Sequence, residues 1–184
     1  MSLYDPFKHH RRSIRLKGWD YRSPAYYFVT ICTHQRENTF ENRAFYDIAA
    51  NALQRIPEQQ HAQHIRLDVW IVMPNHVHLI LWFVDWPSGS DLKVETAVSP
   101  SLQNAPAGSL GVVVGQYKKA VTIPINQLQR AEKTAVWQRG YYERIIRNER
   151  ELNATRQYIL NNPARWNEDR DNLDALFRKM THHP

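Results

Sequence analysis

The run His76-Val77-His78-Leu79-Ile80-Leu81-Trp82-Phe83-Val84 constrains the fold more than any other stretch of the chain. Side chains alternate across a β-strand, yet both alternating sets are apolar here apart from the two histidines. A strand apolar on both sides belongs in the middle of a sheet that is covered on both faces. Just upstream, Pro74-Asn75 is a turn signal. Before it, Ile65, Leu67, Val69 and Ile71 alternate with Arg66, Asp68 and Trp70. The alternation predicts a strand over Ile65–Met73, joined to the histidine strand as an antiparallel hairpin.

The remaining pattern builds outwards from that hairpin. Tyr26 to Thr33 is rich in aromatic and β-branched residues and reads as another buried strand. Ala44 to Ile56 places Ile48, Ala49, Leu53 and Ile56 at helical spacing, and Pro57 closes that helix. Leu110 to Leu128 has helical spacing too, with Pro124 expected to kink or interrupt it. Trp137-Gln138-Arg139-Gly140 is a turn before a fourth strand, Tyr141 to Arg147. A last helix spans Glu149 to Asn162, with Asn148 as its cap, Glu151 in the capping-box position and Pro163 at its end. The order strand, helix, two strands, helix, strand, helix predicts an α+β fold, a ferredoxin-like antiparallel sheet packed with helices. The expected organisation is a basic N-terminal arm (1–22), one domain (23–166) with a mobile Pro/Ser/Gly-rich loop at 86–108, and a polar C-terminal tail (167–184).

With 184 residues the chain can bury a core without staples. Its formal charge of +6 favours a polyanionic partner without naming one. Cys32 is the lone cysteine, which excludes an intramolecular disulfide and a Cys-x-x-Cys zinc site and fits a reducing compartment. There is no apolar run of about 18 residues to span a membrane, and no apolar stretch follows the charged N-terminus as a secretory signal requires. The expected location is the cytosol.

His76 and His78, two apart on a strand, project from the same face and can share one ion. Imidazole suits Mn, Zn, Fe or Ni and tolerates Mg where oxygens supply the rest. A pair of hydrogen-bonded core histidines has the same spacing. A histidine-triad hydrolase would need a third histidine where Ile80 stands. On the last helix, Tyr158 and Asn162 share a face. Tyrosine is a permissible covalent nucleophile, especially beside a cation that favours the phenolate. Asn162 could add an oxygen ligand. Tyr117, Tyr141 and Tyr142 remain rivals on these grounds.

Taken together, these segments resemble the single-tyrosine HUH transposases, and among them the REP-associated tyrosine transposases. The matching signatures are Met-Pro-Asn-His-Val-His at 73–78, Trp-Gln-Arg-Gly-Tyr-Tyr-Glu at 137–143, Ile-Ile-Arg-Asn-Glu at 145–149 and Tyr-Ile-Leu-Asn-Asn-Pro at 158–163, with Arg-Arg-Ser-Ile-Arg-Leu-Lys-Gly-Trp-Asp-Tyr at 11–21. The resemblance implies an HUH nuclease fold and Mg or Mn on His76 and His78, with Asn162 as a third ligand where many insertion-sequence relatives carry Gln. It implies Tyr158 as the nucleophile, forming a 5′-phosphotyrosine link and freeing a 3′-hydroxyl. The implied substrate is single-stranded DNA folded into hairpins, handled by a monomer or homodimer in the bacterial cytoplasm, at the nucleoid. Candidate phosphate contacts are Arg11, Arg12, Arg15 and Lys17 in the arm, then Lys118, Lys119, Arg139 and Arg144. Trp19, Tyr21 and Tyr142 offer stacking faces for unpaired bases. Two alternatives stand beside this reading: a hairpin-binding protein that does not cleave, and a rolling-circle initiator or relaxase of the HUH type.

Overall fold

The computed structural model describes residues 16, 18–85, 108–130 and 134–166. Within them the chain runs β1 (Ala25–Cys32), α1 (Arg43–Gln54), β2 (Ile65–Met73), β3 (His76–Phe83), α2 (Leu110–Gln129), β4 (Tyr142–Ile146) and α3 (Glu149–Asn161). The strands form one sheet in the order β2-β3-β1-β4, and every neighbouring pair is antiparallel. This is the ferredoxin-like α+β arrangement that the element order predicts, and the doubly apolar β3 is an inner strand.

Alternation along the inner strands sends their side chains into two cores. Tyr27, Val29, Ile31, Val77, Leu79, Leu81 and Phe83 join the buried faces of α1 and α2. Phe28, Ile80 and Ile146 join Leu152 and Ile159 of α3. The sheet therefore carries α1 and α2 on one face and α3 on the other. An isolated 13-residue helix as polar as α3 is marginal in water. Burial of Leu152 and Ile159, at about 2 kcal/mol each, is what makes it form here.

The simple alternation expected along β2 does not hold. Ile65 and Leu67 face the α1/α2 core, whereas Val69 and Ile71 face α3. The cause is a bulge. Leu67 pairs with Leu81 and Trp70 with Leu79, so Asp68 and Val69 both stand opposite the single residue Ile80. One extra residue flips the later half of the strand.

Pro124 does not interrupt α2, which continues to Gln129. The carbonyl that loses its partner there belongs to the exposed Ala120, where water can take its place. Before α2, Gly108 adopts φ +72° against His64, whose Nε2–H donates to the Gly108 carbonyl at 3.0 Å. At the start of α3, the Asn148 side chain accepts from the Glu151 N–H as expected. The other half of the capping box is shifted: Glu151 accepts from the Arg147 N–H at 3.0 Å instead of that of Asn148. No described helix is long and apolar enough to cross a membrane. Residues 86–107 of the expected mobile loop, residues 1–15 and 17 of the arm, and the tail fall outside the described residues.

Candidate active site

The antiparallel register assembles the site before any helix is considered. His78 lies opposite Thr30 on β1, and Thr30 lies opposite Tyr142 on β4. His76 lies opposite Cys32 on one side and Met73 on the other. Both histidines share one face, as their spacing predicts, and that face is the one covered by α3, with ring centroids 4.4 Å apart. They are 3 % and 1 % exposed. Buried polar rings need hydrogen-bond partners, and each Nδ1 has one. His76 Nδ1–H donates to Asn75 Oδ1 at 2.7 Å. His78 Nδ1 is 2.8 Å from Thr30 Oγ1.

An amide oxygen only accepts, so His76 carries a proton on Nδ1. His78 adopts the same tautomer when its Nδ1–H donates to Thr30 and Nε2 accepts from the Tyr158 hydroxyl, 3.2 Å away. Burial first, then the charges of His76 and Arg36, hold the His78 pKa well below its ordinary value. The ring is therefore neutral at pH 7, as a metal ligand must be.

Helix α3 brings the tyrosine to this pair. Tyr158 packs edge-on against Phe28, centroids 6.1 Å apart, and lies 5.2 Å from the His78 ring. Two turns on, Trp166 lies 5.9 Å from the His76 ring. Between them Asn162, 1 % exposed, closes the helix. Of the rival tyrosines, Tyr117 is sealed in the α1/α2 layer with its hydroxyl on the Ala49 carbonyl, and burial raises its pKa far above the ordinary value. Tyr141 packs against the same core, and Tyr142 supports Phe28 from the side at 6.3 Å.

The donor set fits a divalent ion held by few protein groups. The candidate donors are Nε2 of His76, Nε2 of His78 and the amide of the buried Asn162, and the described residues contain no group of three or more His, Cys, Asp or Glu suited to a metal. Such a set leaves most of an ion's coordination to water and phosphate oxygens, the habit of Mg and Mn at phosphoryl sites.

The expected phosphate contacts separate into three groups. Arg11, Arg12, Arg15 and Lys17 lie outside the described residues. Lys119 and Arg139 are exposed. Lys118 and Arg144 are engaged within the fold. The Lys118 ammonium donates to the carbonyls of Gln138 at 2.8 Å and Gly140 at 2.7 Å, and burial lowers its pKa to about 8. Arg144 is paired with the buried Glu151. Their charges brace the turn before β4 and the start of α3. Trp19 and Tyr21 are likewise tied inwards: Trp19 Nε1–H donates to the Tyr27 hydroxyl, and Tyr21 packs on the Tyr27 ring. Sequence reasoning misses Thr30, Asn75, Phe28 and Arg36, because what marks them is cross-strand register and loop geometry rather than residue type.

No family model matches the sequence. A Haemophilus influenzae protein (strain ATCC 51907 / DSM 11121 / KW20 / Rd), described as an uncharacterized protein, is 33 % identical over 178 residues, covering 93 % of this chain and 98 % of that one. Among solved structures, the fold is similar to that of a REP-associated tyrosine transposase bound to a REP hairpin. The TM-score is 0.55 at 19 % identity, over 90 % of this chain and 74 % of that chain. That likeness is one of fold. One-third identity along almost the whole of both sequences makes this protein a member of the same family as the Haemophilus influenzae protein.

Proposed function

We propose that the protein is a metal-dependent single-stranded DNA endonuclease and strand-transferase that acts on DNA hairpins through a 5′-phosphotyrosine intermediate. The observation that carries this reading is the Tyr158 hydroxyl, 3.2 Å from Nε2 of a buried, neutral His78 that shares its face with His76. The transposase of similar fold was solved on a REP hairpin, and the +6 charge suits the same class of ligand.

His76 and His78, with Asn162, would hold Mg or Mn. When bound, that ion supplies Lewis-acid polarisation of a phosphoryl oxygen. The chain supplies the nucleophile and its placement. Asn75 fixes the His76 tautomer, Thr30 holds the His78 ring through Nδ1, and Phe28 packs against the edge of the phenol ring. The Tyr158 oxygen attacks phosphorus, forming a tyrosine–phosphate bond at the 5′ side. The bond from phosphorus to the 3′ oxygen breaks, and that oxygen gains a proton as the phenol gives one up. A returning 3′-hydroxyl reverses the step, so strand transfer conserves the number of phosphodiester bonds.

The test is incubation of the protein with Mn and a single-stranded oligonucleotide that folds into a hairpin with unpaired flanks. The expected result is a covalent protein–DNA adduct whose mass equals the protein plus the oligonucleotide less its 5′ fragment, which is released with a free 3′-hydroxyl. Tight hairpin binding with no adduct across a range of hairpins and divalent ions would identify a binding protein instead.

A further inference from the structure

Helix α3 is fastened at both edges of the sheet. At the β4 edge, Glu151 accepts from Arg144 Nε and from the Arg147 N–H. At the β2 edge, Arg156 makes a two-pronged bond to Asp68, Nε to Oδ1 at 3.0 Å and Nη2 to Oδ2 at 2.6 Å. A third nitrogen of Arg156 reaches Asn153 Oδ1 on the same helix at 3.1 Å. Between these fastenings Leu152 and Ile159 pack on Phe28 and Ile80, and Tyr158 reaches the central strands.

The β2 fastening sits at the bulge. In an unbroken strand Asp68 would share a face with Arg66 and Trp70, and Val69 would point the other way. The extra residue puts Asp68 and Val69 together on the α3 face. Bulges re-aim side chains in this way beside functional sites.

Apolar packing fixes how close α3 sits but leaves it free to roll a little. The Tyr158 oxygen lies roughly 9 Å from the helix axis, so a roll of 10° moves it about 1.5 Å. A misplacement of about 1 Å can cost a transesterification about 100-fold. Arg156 sits only two residues from Tyr158, and a planar guanidinium bound at two points resists that roll far better than a single contact.

Resting on the nuclease reading above, we propose that Asp68 and Arg156 are positioning residues: the bulge-borne carboxylate sets the rotation of α3 and so aims the Tyr158 oxygen.

The experiment compares Asp68→Asn, Arg156→Gln, Arg156→Lys and the double variant Asp68→Asn/Arg156→Gln with the wild type. It reads the single-turnover rate of adduct formation on a hairpin oligonucleotide with Mn, the hairpin Kd, Tm, and the NMR cross-peaks between the Tyr158 ring and those of His78 and Phe28. Each single variant is expected to slow adduct formation 10- to 100-fold, with Kd changed less than twofold and Tm lowered by only about 4 °C or less. The double variant should be no slower than the worse single one, since the pair acts as a unit. Arg156→Lys should recover only part of the rate. An unchanged rate in Arg156→Gln overturns the proposal, and so does a rate loss matched by loss of binding or folding. If the wild type forms no adduct, the nuclease reading fails separately. The cross-peaks then judge the clamp alone, which is overturned if they persist unchanged in Arg156→Gln.

Discussion

Tyr158 is useful only because of what faces it. A phenol at neutral pH is almost wholly protonated, and here its hydroxyl lies 3.2 Å from Nε2 of an imidazole that burial keeps neutral. Replacing Tyr158 by Phe is expected to abolish adduct formation while hairpin affinity stays within about twofold. Mn affinity should stay the same or rise, because an ion and the phenol proton compete for the same Nε2 lone pair. Residual cleavage in a calibrated adduct assay, or loss of Mn binding by calorimetry, would contradict this. Thr30 tests the histidine from the other side. Thr30→Val keeps the shape and removes the oxygen that holds His78 Nδ1. Groups that orient a metal-binding histidine from behind are commonly worth 10- to 100-fold in metal affinity, so a Mn titration of Thr30→Val should weaken by about 10-fold or more. An unchanged titration curve would remove Thr30 from the site. Tyr158 was singled out from its rivals only by the family resemblance and Asn162 by sharing its helix face, whereas the candidate pair His76 and His78 was legible in its spacing on one strand. Thr30 was not, because its role comes from a strand register 48 residues away in sequence.

At the scale of elements, residue patterns located each strand and helix within a few residues, and the irregularities were what they missed. Hydrophobic alternation cannot reveal a bulge when Val69 and Trp70 are both apolar, so β2 read as one uninterrupted strand. The Asn148 cap was legible from its side chain, whereas Glu151 finding the Arg147 N–H depends on how tightly the chain turns between β4 and α3. The same holds at the start of α2, where a turn is specified by one glycine. A Cβ on Gly108 would lie 2.9 Å from His64 Cε1, at a φ of +72° that L-residues rarely adopt. Gly108→Ala should therefore cost about 2 kcal/mol, combining left-handed strain with the clash. For a domain of this size that lowers Tm by roughly 4–8 °C. Part of the loss should vanish in a His64→Ala background, which removes the clash and leaves the strain. Equal losses in both backgrounds, read by calorimetry, would show that the ring has room to yield.

Across the whole molecule, the order of elements and the doubly apolar β3 were enough to predict the layered sheet. They did not say which helix covers which face. Periodicity defines a helix's apolar stripe but not the surface that receives it, and the separation of α3 from α1 and α2 follows from the register of β1 and β3. Charge shows the same division between composition and placement. The net charge of +6 is a property of the sequence, yet a cation contributes to counterion release only where it reaches a phosphate. Lys118 directs its ammonium to the Gln138 and Gly140 carbonyls, so it should contribute little to the salt dependence of hairpin binding despite its sequence context. The arm should contribute much more. Replacing Arg11, Arg12, Arg15 and Lys17 together by Ala should reduce the slope of log Kd against log salt by up to about 3.6, at roughly 0.7–0.9 per phosphate contact. Lys118→Met should leave the slope within experimental error even if it destabilises the turn before β4. Fluorescence anisotropy of a labelled hairpin between low and moderate salt measures both slopes. If the arm variant keeps the wild-type slope while Lys118→Met flattens it, the electrostatic footprint lies on the α2 side of the molecule, and the arm has no part in holding the DNA.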